Sequence, residues 1–489
     1  MRFEAMLNDV PVRARSGDGS IEIESMTADS RTVGPGTLFV GIPGFRVDGA
    51  HYVESAVDKG AVAIVSERPV TDRVPSAQVD DARVALSLIA ANFHGRPAEK
   101  LQLIGVTGTS GKTTTTKMIE SILDATGEPA GLIGTIEYRA GETRELADRT
   151  TPDAILLQSW FARMVEAGVK RAVMEVSSHA LALKRTYRVP FAAAVFTNLS
   201  REHFDFHKDF EDYYGAKRIL FDQIDRSRQT AVVNVDDEYG ARLAREMGGA
   251  ALSFGAKENA EIRPARGFQI TIDGLRGKVV TPLGDVQVDS PLIGMPNLYN
   301  WLAGIGAAQV VGIDIPVIEE GIRALKAVHG RFERVASDRT TVLIDYAHKP
   351  DALEKLLRAV RELSPKQRIL LVFGCGGDRD QGKRPAMGEI AGRLADFTIV
   401  TSDNPRSERP EAIIAQILEG IRTVDSAQYL SIVDRREAIA RAVSIADAES
   451  VIVVAGKGHE NYQVVGDRIL HFDDREEVEI ALRKASGKL

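Results

Sequence analysis

The chain has 489 residues, of which 44% are hydrophobic and 27% are charged, which is ordinary for a globular protein of about three domains. Its 62 Lys and Arg residues against 69 Asp and Glu residues leave a net charge of −7, which argues against broad binding to nucleic acid or to acidic membranes. The single cysteine, Cys375, excludes an intramolecular disulfide, and no apolar run approaches the roughly 18 residues of a membrane span. Composition therefore predicts a cytoplasmic, multidomain protein, which we expect to be a monomer.

The N-terminal block, residues 1–97, alternates short strands with helical stretches. Strands are predicted at TLFVGI (37–42) and AVAIVSE (61–67). The segment HGRPAEK at 94–100 follows, and its glycine and proline interrupt any regular periodicity, which is typical of a linker. We therefore expect a small α/β N-terminal domain that ends near residue 97.

Residues 98–330 and 331–489 each alternate apolar runs with amphipathic helices. The runs are LQLIGVTG, RAVMEVSS, AAAVFTN and TAVVNVDD in the first block, and TVLIDYAH, RILLVFGCGG, DFTIVTSDN and SVIVVAGKG in the second. Such runs are typical of strands buried on both faces of a parallel sheet. Apolar residues at positions 353, 356, 357, 360 and 363 predict a helix with one buried stripe. The predicted fold class is α/β in three domains: the small N-terminal domain, a central P-loop-type domain with a mostly parallel sheet, and a Rossmann-like C-terminal domain.

Polar residues or glycines follow nearly every one of these strands. The segments are TGTSGKTT, EVSSH, NLSREH, DYAHKPD, GCGGDRD, SDNPR and GKGHE. Ligands of open α/β sheets bind beyond the carboxyl ends of the strands. A single strand end of this kind is equally well explained by a polar turn, but seven of them in two sheets favour a cleft shared by two domains.

A glycine-rich segment lies between the strand LQLIGV and the helical stretch TTKMIESILDA. It comprises Gly108, Thr109, Ser110, Gly111, Lys112, Thr113 and Thr114. Backbone N–H groups of such a loop approach phosphate oxygens, and the helix N-terminus adds partial positive charge. Lys112 is predicted to lie between the β- and γ-phosphates of a nucleotide and Thr113 to bind Mg²⁺. Position 106 is valine where the general form has glycine, so the loop is a shortened form, and a plain glycine-rich turn is the alternative interpretation.

This G-T-S-G-K-T-T loop resembles that of the ATP-dependent Mur ligases of peptidoglycan synthesis and of the related folylpolyglutamate synthetases. Further motifs along almost the whole chain are similar to those of the Mur ligases that add the third residue of the stem peptide. The resemblance implies an ATP- and Mg²⁺-dependent ligase that forms an amide bond through an acyl phosphate. Activation is needed because hydroxide is a very poor leaving group, and cations must gather where two anions approach each other.

The resemblance also implies the metal site. Glu175 in M-E-V-S-S-H and His203 in N-L-S-R-E-H match the family's ligands for a second Mg²⁺, and Lys217 in Y-Y-G-A-K-R-I-L-F matches a lysine that CO₂ carbamylates. A carbamate would reverse the sign of Lys217 and make it an anionic oxygen ligand. From the residues alone, Lys217 could be an ordinary solvated lysine, and His203 with His207 could form a zinc pair if the segment is helical.

Four further residues match positions of the family that contact ATP. Asn297 and Asn300 in G-M-P-N-L-Y-N match amides that contact the base, although the segment could equally be the N-capped start of a helix. Arg331 in H-G-R-F-E-R and Asp345 in I-D-Y-A-H-K-P-D match positions of the third domain that reach back to ATP. Such contacts imply closure on binding, which would exclude water from the acyl phosphate.

For the acceptor, the resemblance implies UDP-N-acetylmuramoyl-L-alanyl-D-glutamate. Ala28, Ser30 and Arg46, in T-A-D-S-R and G-F-R-V-D-G, resemble the segment that binds the uridine nucleotide. The residues that match contacts to the muramoyl-dipeptide are Thr150, Thr151, Ser177 and Arg185. Leu183 stands where some members have glutamine, so one polar contact is expected to be missing. Without the resemblance, these serines and threonines read as caps and turns.

For the amine, the resemblance implies meso-diaminopimelate. The matching residues are Arg379, Asp403, Asn404, Pro405, Arg406, Gly456 and Glu460. An arginine fork suits the distal carboxylate that lysine lacks, so a site built around Arg406 would discriminate against lysine by up to roughly 10⁴-fold. A proline turn with a surface arginine is the alternative interpretation of N-P-R.

Four other functions compete with this one. An L-lysine-adding Mur ligase and a folylpolyglutamate synthetase share the chemistry, but the latter lacks a uridine-nucleotide domain and the D-N-P-R loop. A P-loop ATPase or kinase would turn over ATP without an amino acid and gives no reason for the D-N-P-R, G-G-D-R-D and G-K-G-H-E segments. A regulatory nucleotide-binding module gives no reason to retain Lys112, Glu175, His203 and Lys217.

Overall fold

The structure is a computed structural model that describes residues 1–44, 47–69, 71–257, 259–336 and 340–486. Its architecture is mixed α/β with largely parallel sheets, as the sequence predicts. By internal contacts the chain forms two compact units. The first comprises Met1–Pro264, Val279–Val286 and Tyr299–Ile322, and the second comprises Ala265–Lys278, Gln287–Leu298 and Arg323–Leu489.

A five-stranded sheet begins the first unit. Its strands, in spatial order, are Val12–Ser16, Ser76–Val79, Ala61–Ser66, Thr37–Gly41 and Ser25–Thr27. The first pair is antiparallel and the other neighbours are parallel. The helices of this region are Phe3–Met6, Val53–Asp58 and Ala82–Phe93, with 3₁₀ turns at Gly49–Tyr52 and Pro97–Lys100. The predicted linker at 94–100 therefore contains a 3₁₀ turn.

An eight-stranded sheet forms the rest of the first unit's scaffold. Its strands, in spatial order, are Ala251–Phe254, Ala231–Asn234, Phe191–Phe196, Gln102–Thr107, Arg171–Glu175, Ala130–Ile133, Glu137–Ala140 and Thr143–Leu146. The first six strands are parallel, and the last two continue the sheet antiparallel. The helices of the region are Lys112–Asp124, Ala154–Glu166, Ser178–Ala182, Phe210–Arg218 and Glu238–Met247, with 3₁₀ turns at Ile219–Asp222 and Gly248–Ala250. Two further helices, Gly294–Val310 and Ile315–Ala324, include residues of both units.

The strand Gln102–Thr107 explains where ligands can bind in this sheet. Leu103, Ile104 and Val106 are fully buried, because layers cover both faces of the sheet. The strand lies between Phe191–Phe196 and Arg171–Glu175, while the next strand in sequence, Ala130–Ile133, lies beyond Arg171–Glu175. The direction of strand succession changes beside it, and ligands of open α/β sheets bind beyond the carboxyl end of a strand in this position.

A six-stranded sheet forms the core of the second unit. Its strands, in spatial order, are Glu333–Ala336, Thr341–Asp345, Ser450–Ala455, Arg368–Phe373, Phe397–Val400 and Tyr429–Ser431. The first pair is antiparallel and the rest are parallel. The helices are Pro350–Leu363, Lys383–Leu394, Pro410–Ile421, Arg435–Ile445 and Asp474–Ala485, and Tyr462–Val465 pairs with Arg468–His471 as a hairpin.

The predicted amphipathic helix is confirmed at Pro350–Leu363. Leu353, Leu356, Leu357 and Val360 are buried in the core of the sheet.

A smaller sheet contains Arg263–Pro264, Gln269–Thr271, Gly274–Val280 and Val286–Ser290. Within the described ranges, every helix is too short or too polar to cross a membrane.

Candidate functional site

The glycine-rich segment forms a tight loop at the end of the strand Gln102–Thr107. Gly108 has φ 149° and Gly111, which precedes the helix Lys112–Asp124, has φ 88°. A Cβ atom at Gly108 would lie 1.9 Å from Thr197 Oγ1, and one at Gly111 would lie 2.5 Å from Asn300 Oδ1. Side chains are therefore disfavoured at both positions, which is typical of a glycine-rich loop whose backbone approaches an anion at a helix N-terminus.

The glycine-rich loop, residues 108–111 (the phosphate loop), is held in this shape by a second loop, residues 197–200. Asn198 accepts a hydrogen bond from Thr109 N at its carbonyl (2.9 Å) and one from Ser110 N at Oδ1 (3.0 Å). Thr197 Oγ1 donates to Ser110 O at 2.7 Å. Asn198 was not singled out from the sequence, although its place in the strand-end segment NLSREH was a signal.

Lys112 curls over the phosphate loop. Its Nζ donates to the carbonyl oxygens of Gly108 (2.8 Å) and Thr109 (2.9 Å), and the side chain is half-buried. Thr114, two residues later, is buried in the first turn of the helix. The ammonium group of Lys112 thus lies beside the loop, and its place between the β- and γ-phosphates stays a prediction.

The Glu175 carboxylate joins two hydroxyl-bearing residues at the end of the strand Arg171–Glu175. Thr113 Oγ1 and Thr135 Oγ1 each donate to its Oε2 at 3.0 Å, and Thr135 N donates to its Oε1 at 2.7 Å. Glu175 is buried. A hydroxyl beside a carboxylate gives the hard oxygen donors that Mg²⁺ prefers. Thr135 was missed from the sequence, because its contact with Glu175 joins residues 40 positions apart.

Lys217 lies against the same phosphate loop. Its side chain is 1% exposed, its Nζ donates to Gly108 O at 2.8 Å, and the Tyr213 ring centroid is 4.5 Å from the Nζ. Gly108 O therefore accepts from both Lys217 and Lys112. Burial, and then the charge of Lys112, hold the pKa of Lys217 well below its usual range. The alternative of a solvated surface lysine is wrong.

His203 and His207 differ in their surroundings. His203 has φ 60°, is partly exposed, and its ring meets that of His179 edge-on at 4.7 Å. His207 is buried, with Nε2 3.0 Å from Ser178 Oγ. The segment that joins them is a turn, in which His207 N donates to His203 O. Across the described residues, no three His, Cys, Asp or Glu side chains form a group that could hold a metal ion.

The four residues predicted to contact the muramoyl-dipeptide lie close to Glu175. Thr151 Oγ1 donates to Glu175 O at 2.8 Å and accepts from Ser177 N at 3.1 Å, and Arg185 Nη1 donates to Thr151 O at 2.9 Å. Thr150 Oγ1 lies 3.1 Å from Thr135 Oγ1. These four predicted residues thus lie beside the carboxyl end of the strand Arg171–Glu175.

The predicted uridine segment follows the strand Ser25–Thr27 in the five-stranded sheet. Ala28 is exposed and Ser30 is partly exposed, and Lys59 Nζ donates to Ser30 O at 2.7 Å. Arg46, the third residue predicted for the uridine nucleotide, lies outside the described residues. These contacts do not test the binding of a uridine nucleotide, so the role of Ser30 stays a prediction.

Asn297 and Asn300 lie in the helix Gly294–Val310. The segment therefore does begin a helix, with Asn297 inside its first turn, where Nδ2 donates to Ile293 O at 2.9 Å. Asn300 Oδ1 accepts from Thr115 Oγ1 at 3.2 Å. Asn300 is thus held at the helix that follows the phosphate loop.

In the second unit, the D-N-P-R segment follows the strand Phe397–Val400. Asn404 Nδ2 donates to Glu460 Oε2 at 2.7 Å, and Asp403 Oδ2 would lie 2.8 Å from a Cβ atom at Gly456. Lys457 is fully buried, with Nζ 3.4 Å from Glu460 Oε2 and 3.7 Å from Asp403 Oδ1. Four of the residues predicted for the amine thus meet around one buried ammonium group. Lys457 was not singled out from the sequence, although it lies within the G-K-G-H-E segment.

Two arginines were predicted for the same ligand. Arg406 has φ 51°, is partly buried, and donates from Nη1 to Gly377 O at 2.9 Å. Arg379 is exposed, and its Nη1 lies 3.3 Å from Asp378 O. Pro405 is buried, and its carbonyl oxygen would lie 1.9 Å from a Cβ atom at Gly377. Arg406 is therefore ordered by the G-C-G-G-D-R-D loop rather than extended from a free surface turn.

Arg331 and Asp345 lie together near the start of the six-stranded sheet. Asp345 accepts from Phe332 N at 2.7 Å and from Ala347 N at 2.8 Å, and burial raises its pKa. The guanidinium of Arg331 lies 4.6 Å from the Tyr346 ring centroid. Both side chains are thus oriented within their own unit, and their predicted role toward ATP stays a prediction.

Three family models match the chain in succession. Residues 22–94 match the model described as Mur ligase family, catalytic domain, residues 106–308 match Mur ligase middle domain, and residues 330–458 match Mur ligase, glutamate ligase domain.

Curated relatives match over the full length. A protein of Geobacter metallireducens named UDP-N-acetylmuramoyl-L-alanyl-D-glutamate--2,6-diaminopimelate ligase is 44% identical over 100% of this chain and 99% of its own. A Gloeobacter violaceus protein of the same name is 47% identical over 96% of this chain and 95% of its own.

Solved structures also match the chain. A structure of UDP-N-acetylmuramoyl-L-alanyl-D-glutamate--2,6-diaminopimelate ligase, 31% identical, covers 99% of both chains with a TM-score of 0.72. A folylpolyglutamate synthase of Mycobacterium tuberculosis, 19% identical, covers only 76% of this chain, at a TM-score of 0.58, and shows a shared fold alone.

Proposed function

The chain belongs to the Mur ligase family, and we propose that it joins meso-diaminopimelate to the γ-carboxylate of D-glutamate in UDP-N-acetylmuramoyl-L-alanyl-D-glutamate at the expense of ATP. The reaction belongs to peptidoglycan synthesis. The observation that carries the proposal is the full-length identity of 44–47% to relatives with that named activity. The clustering of Lys112, Thr113, Glu175 and Lys217 at one sheet edge supports it, because this is where phosphoryl transfer needs cations and metal ligands.

The residues at the phosphate loop fit ATP and Mg²⁺. The glycines at positions 108 and 111 leave no side chain between the loop and a phosphate, and Lys112 supplies a positive charge beside the loop. Thr113 would hold one Mg²⁺, with Glu175, His203 and the carbamate of Lys217 as ligands of a second ion. Bound Mg²⁺ would supply charge neutralisation as two anions approach.

The chain's own residues then have separate tasks in the reaction. Arg185 and the threonines of Thr150–Thr151 orient the glutamyl carboxylate, whose oxygen attacks the γ-phosphorus of ATP while the bond to ADP breaks. The diaminopimelate amine attacks the resulting acyl phosphate, the C–N bond forms, and inorganic phosphate leaves with the electron pair of the C–O bond. The amine loses its proton to solvent. Burial of these groups lowers the competing attack by water.

Lys217 is suited to carbamylation by CO₂. Only the neutral amine reacts with CO₂, and the buried site beside Lys112 favours that form. Conversion to a carbamate would place an anion beside the ammonium group of Lys112 and so form an ion pair. It would also add an oxygen donor beside the phosphate loop.

The amine specificity rests on Arg406. Its guanidinium would pair with the distal carboxylate of diaminopimelate. Asp403 and Glu460 would accept hydrogen bonds from the substrate ammonium group next to that carboxylate. L-lysine lacks that carboxylate and would leave Arg406 unpaired, which is the difference from an L-lysine-adding ligase. We also propose that residues 1–97, 98–330 and 331–489 handle the uridine nucleotide, ATP and the amino acid, respectively.

The proposal is tested by phosphate release from the pure protein. The reaction contains ATP, Mg²⁺ and the UDP-muramoyl-dipeptide, with diaminopimelate, L-lysine, L-glutamate or no amino acid. We expect phosphate release only in the reaction that contains diaminopimelate, and not with L-lysine, L-glutamate or no amino acid. Release with L-lysine would favour the L-lysine-adding ligase, and release that ignores the amino acid would favour a P-loop ATPase and overturn the proposal.

A further inference from the structure

Tyr213 lies where the phosphate loop, Lys217 and the histidine-bearing segment meet. It belongs to the helix Phe210–Arg218, which also carries Lys217, and its side chain is 1% exposed. Its hydroxyl lies 3.2 Å from Thr109 Oγ1, and its ring centroid lies 4.5 Å from Lys217 Nζ. One side chain thus touches both the loop predicted to bind phosphates and the lysine proposed to react with CO₂.

The hydroxyl of Tyr213 completes a chain of hydrogen bonds. Thr109 Oγ1 accepts from Ser200 N at 3.0 Å and donates to Ser200 O at 3.3 Å. With its own proton used in that way, Thr109 Oγ1 has a lone pair left for the proton of the Tyr213 hydroxyl. The Tyr213 hydroxyl therefore ties its helix to Thr109, whose own hydroxyl joins the phosphate loop to Ser200, three residues before His203.

The ring of Tyr213 forms one wall around the Lys217 amine. Two further rings lie beside that of Tyr213: the ring centroids of His207 and His203 are 4.9 Å and 6.2 Å from the Tyr213 centroid. Such a wall limits the access of water to the amine and fixes the lysine side chain toward Gly108 O, with which it is hydrogen-bonded.

We propose that Tyr213 is a positioning residue with two separable tasks: its hydroxyl fixes the phosphate loop through Thr109, and its ring holds the Lys217 amine in place for reaction with CO₂. The inference rests on the proposed function for the role of the carbamate. In that reaction the amine lone pair forms an N–C bond to CO₂, one C–O π pair moves onto oxygen, and the nitrogen releases one proton to water. Tyr213 takes no part in these bond changes and acts through Thr109 and Lys217.

Two variants separate the tasks, and a neighbouring residue provides the control. Tyr213→Phe removes the hydroxyl and keeps the ring, whereas Tyr213→Leu removes both. Tyr214 follows on the same helix and is equally buried, but its ring contacts the guanidinium of Arg242 at 4.5 Å rather than the phosphate loop. Tyr214→Phe therefore measures what the loss of a buried tyrosine hydroxyl does to this helix in general.

The test measures MgADP binding by calorimetry and the carbamate by ¹³C NMR in ¹³C-bicarbonate. We expect Tyr213→Phe to weaken MgADP binding about 2- to 12-fold and to raise KM for ATP more than it lowers kcat, because one neutral hydrogen bond is lost. Its carbamate resonance should match that of the wild type. We expect Tyr213→Leu to lose the resonance at bicarbonate levels that saturate the wild type, and Tyr214→Phe to behave as the wild type in both measurements.

Several outcomes would overturn the inference. They are wild-type MgADP affinity in Tyr213→Phe, equal losses in Tyr214→Phe, and a full carbamate resonance in a folded Tyr213→Leu protein. Absence of the resonance from the wild type would overturn the task of the ring. If Tyr213→Leu does not fold, Tyr213→Phe still decides the task of the hydroxyl. Failure of the proposed function is distinguishable, because the wild type would then make no amide with diaminopimelate, whereas MgADP binding would still report on Tyr213.

Discussion

Two regions of the molecule each bury a lysine completely, and they surround it with opposite charges. Lys217, in the first unit, is 1% exposed, and Lys457, in the second, is 0% exposed. Lys217 Nζ meets the carbonyl of Gly108, an aromatic ring and the field of Lys112. Lys457 Nζ lies within 4 Å of the carboxylates of Asp403 and Glu460.

The difference teaches that burial alone does not fix the chemistry of a lysine. A buried ammonium that lacks a carboxylate partner is costly, so the surroundings of Lys217 favour the neutral amine, which can react with CO₂. Two carboxylates compensate the ammonium of Lys457, which in turn keeps them close together in the region proposed for the amino acid. The first region thus favours the neutral amine that the proposed carbamylation requires, and the second uses its buried lysine as a counter-ion.

Arg406→Ala gives the largest expected effect and should be confined to the amino-acid region. The preference for diaminopimelate over L-lysine, as a ratio of kcat/KM values, should fall by up to roughly 10⁴-fold, because the distal carboxylate loses its partner. MgADP affinity should not change. Arg409→Ala, an exposed arginine three residues later, is the control, and an equal loss of nucleotide binding in Arg406→Ala would contradict the assignment.

Lys217→Ala should have its effect in the phosphate region. The rate of amide formation should fall about 10²- to 10³-fold, as for loss of one preorganised electrostatic group, and added formate or acetate should restore part of it. Lys208→Ala, an exposed lysine nearby, should keep full activity. Full activity of Lys217→Ala, or no recovery with short carboxylates, would contradict the carbamate role and remove one side of the comparison.

Lys457→Met should destabilise the second unit, because Asp403 and Glu460 then lose the ammonium group that lies within 4 Å of both. We expect the free energy of unfolding to fall by about 3 kcal/mol, measured by denaturant titration. Lys366→Met removes an exposed lysine of the same unit and should change it by less than about 0.5 kcal/mol. An unchanged stability of Lys457→Met would show that the carboxylates do not compensate Lys457.

His329 provides a smaller and pH-dependent version of the same compensation. Hydrogen bonds to Asp473 and Glu333 raise the pKa of His329 to about 10, above its ordinary value of 6.5. The stabilisation is therefore complete below pH 6.5 and is lost as the pH rises toward 10. His329→Gln should lower Tm by a few degrees at pH 6 and by less at pH 9–10. A Tm difference that does not shrink with rising pH would contradict this cause, and His471→Gln, at an exposed pair with Glu476, is the control.

The sequence was most informative where a function depends on contiguous residues. The strand, the glycines and Lys112 follow one another along the chain, so their geometry could be predicted from sequence and local backbone rules. The parallel sheets followed for the same reason, because apolar runs such as RILLVF report burial on both faces. The fold class was thus predicted correctly.

Contacts between distant segments could not be predicted in that way. Lys217 reaches Gly108 across 109 positions, and the partners of Lys457 lie on both sides of the strand end at Gly456. Sequence patterns place Lys217 on a helix and Lys457 after a strand, but they contain no information on the sign of the surrounding charges. The roles of Tyr213 and Thr135 were missed for the same reason.

The most direct test follows the oxygen of the substrate carboxylate. The dipeptide substrate is labelled with ¹⁸O in the γ-carboxylate of D-glutamate and incubated with ATP, Mg²⁺ and diaminopimelate. We predict that each amide formed releases one phosphate that carries one ¹⁸O atom, because the carboxylate oxygen leaves with the phosphoryl group. Unlabelled phosphate, or labelled phosphate formed equally well without diaminopimelate, would contradict the account of this chain as a diaminopimelate-adding ligase that works through an acyl phosphate.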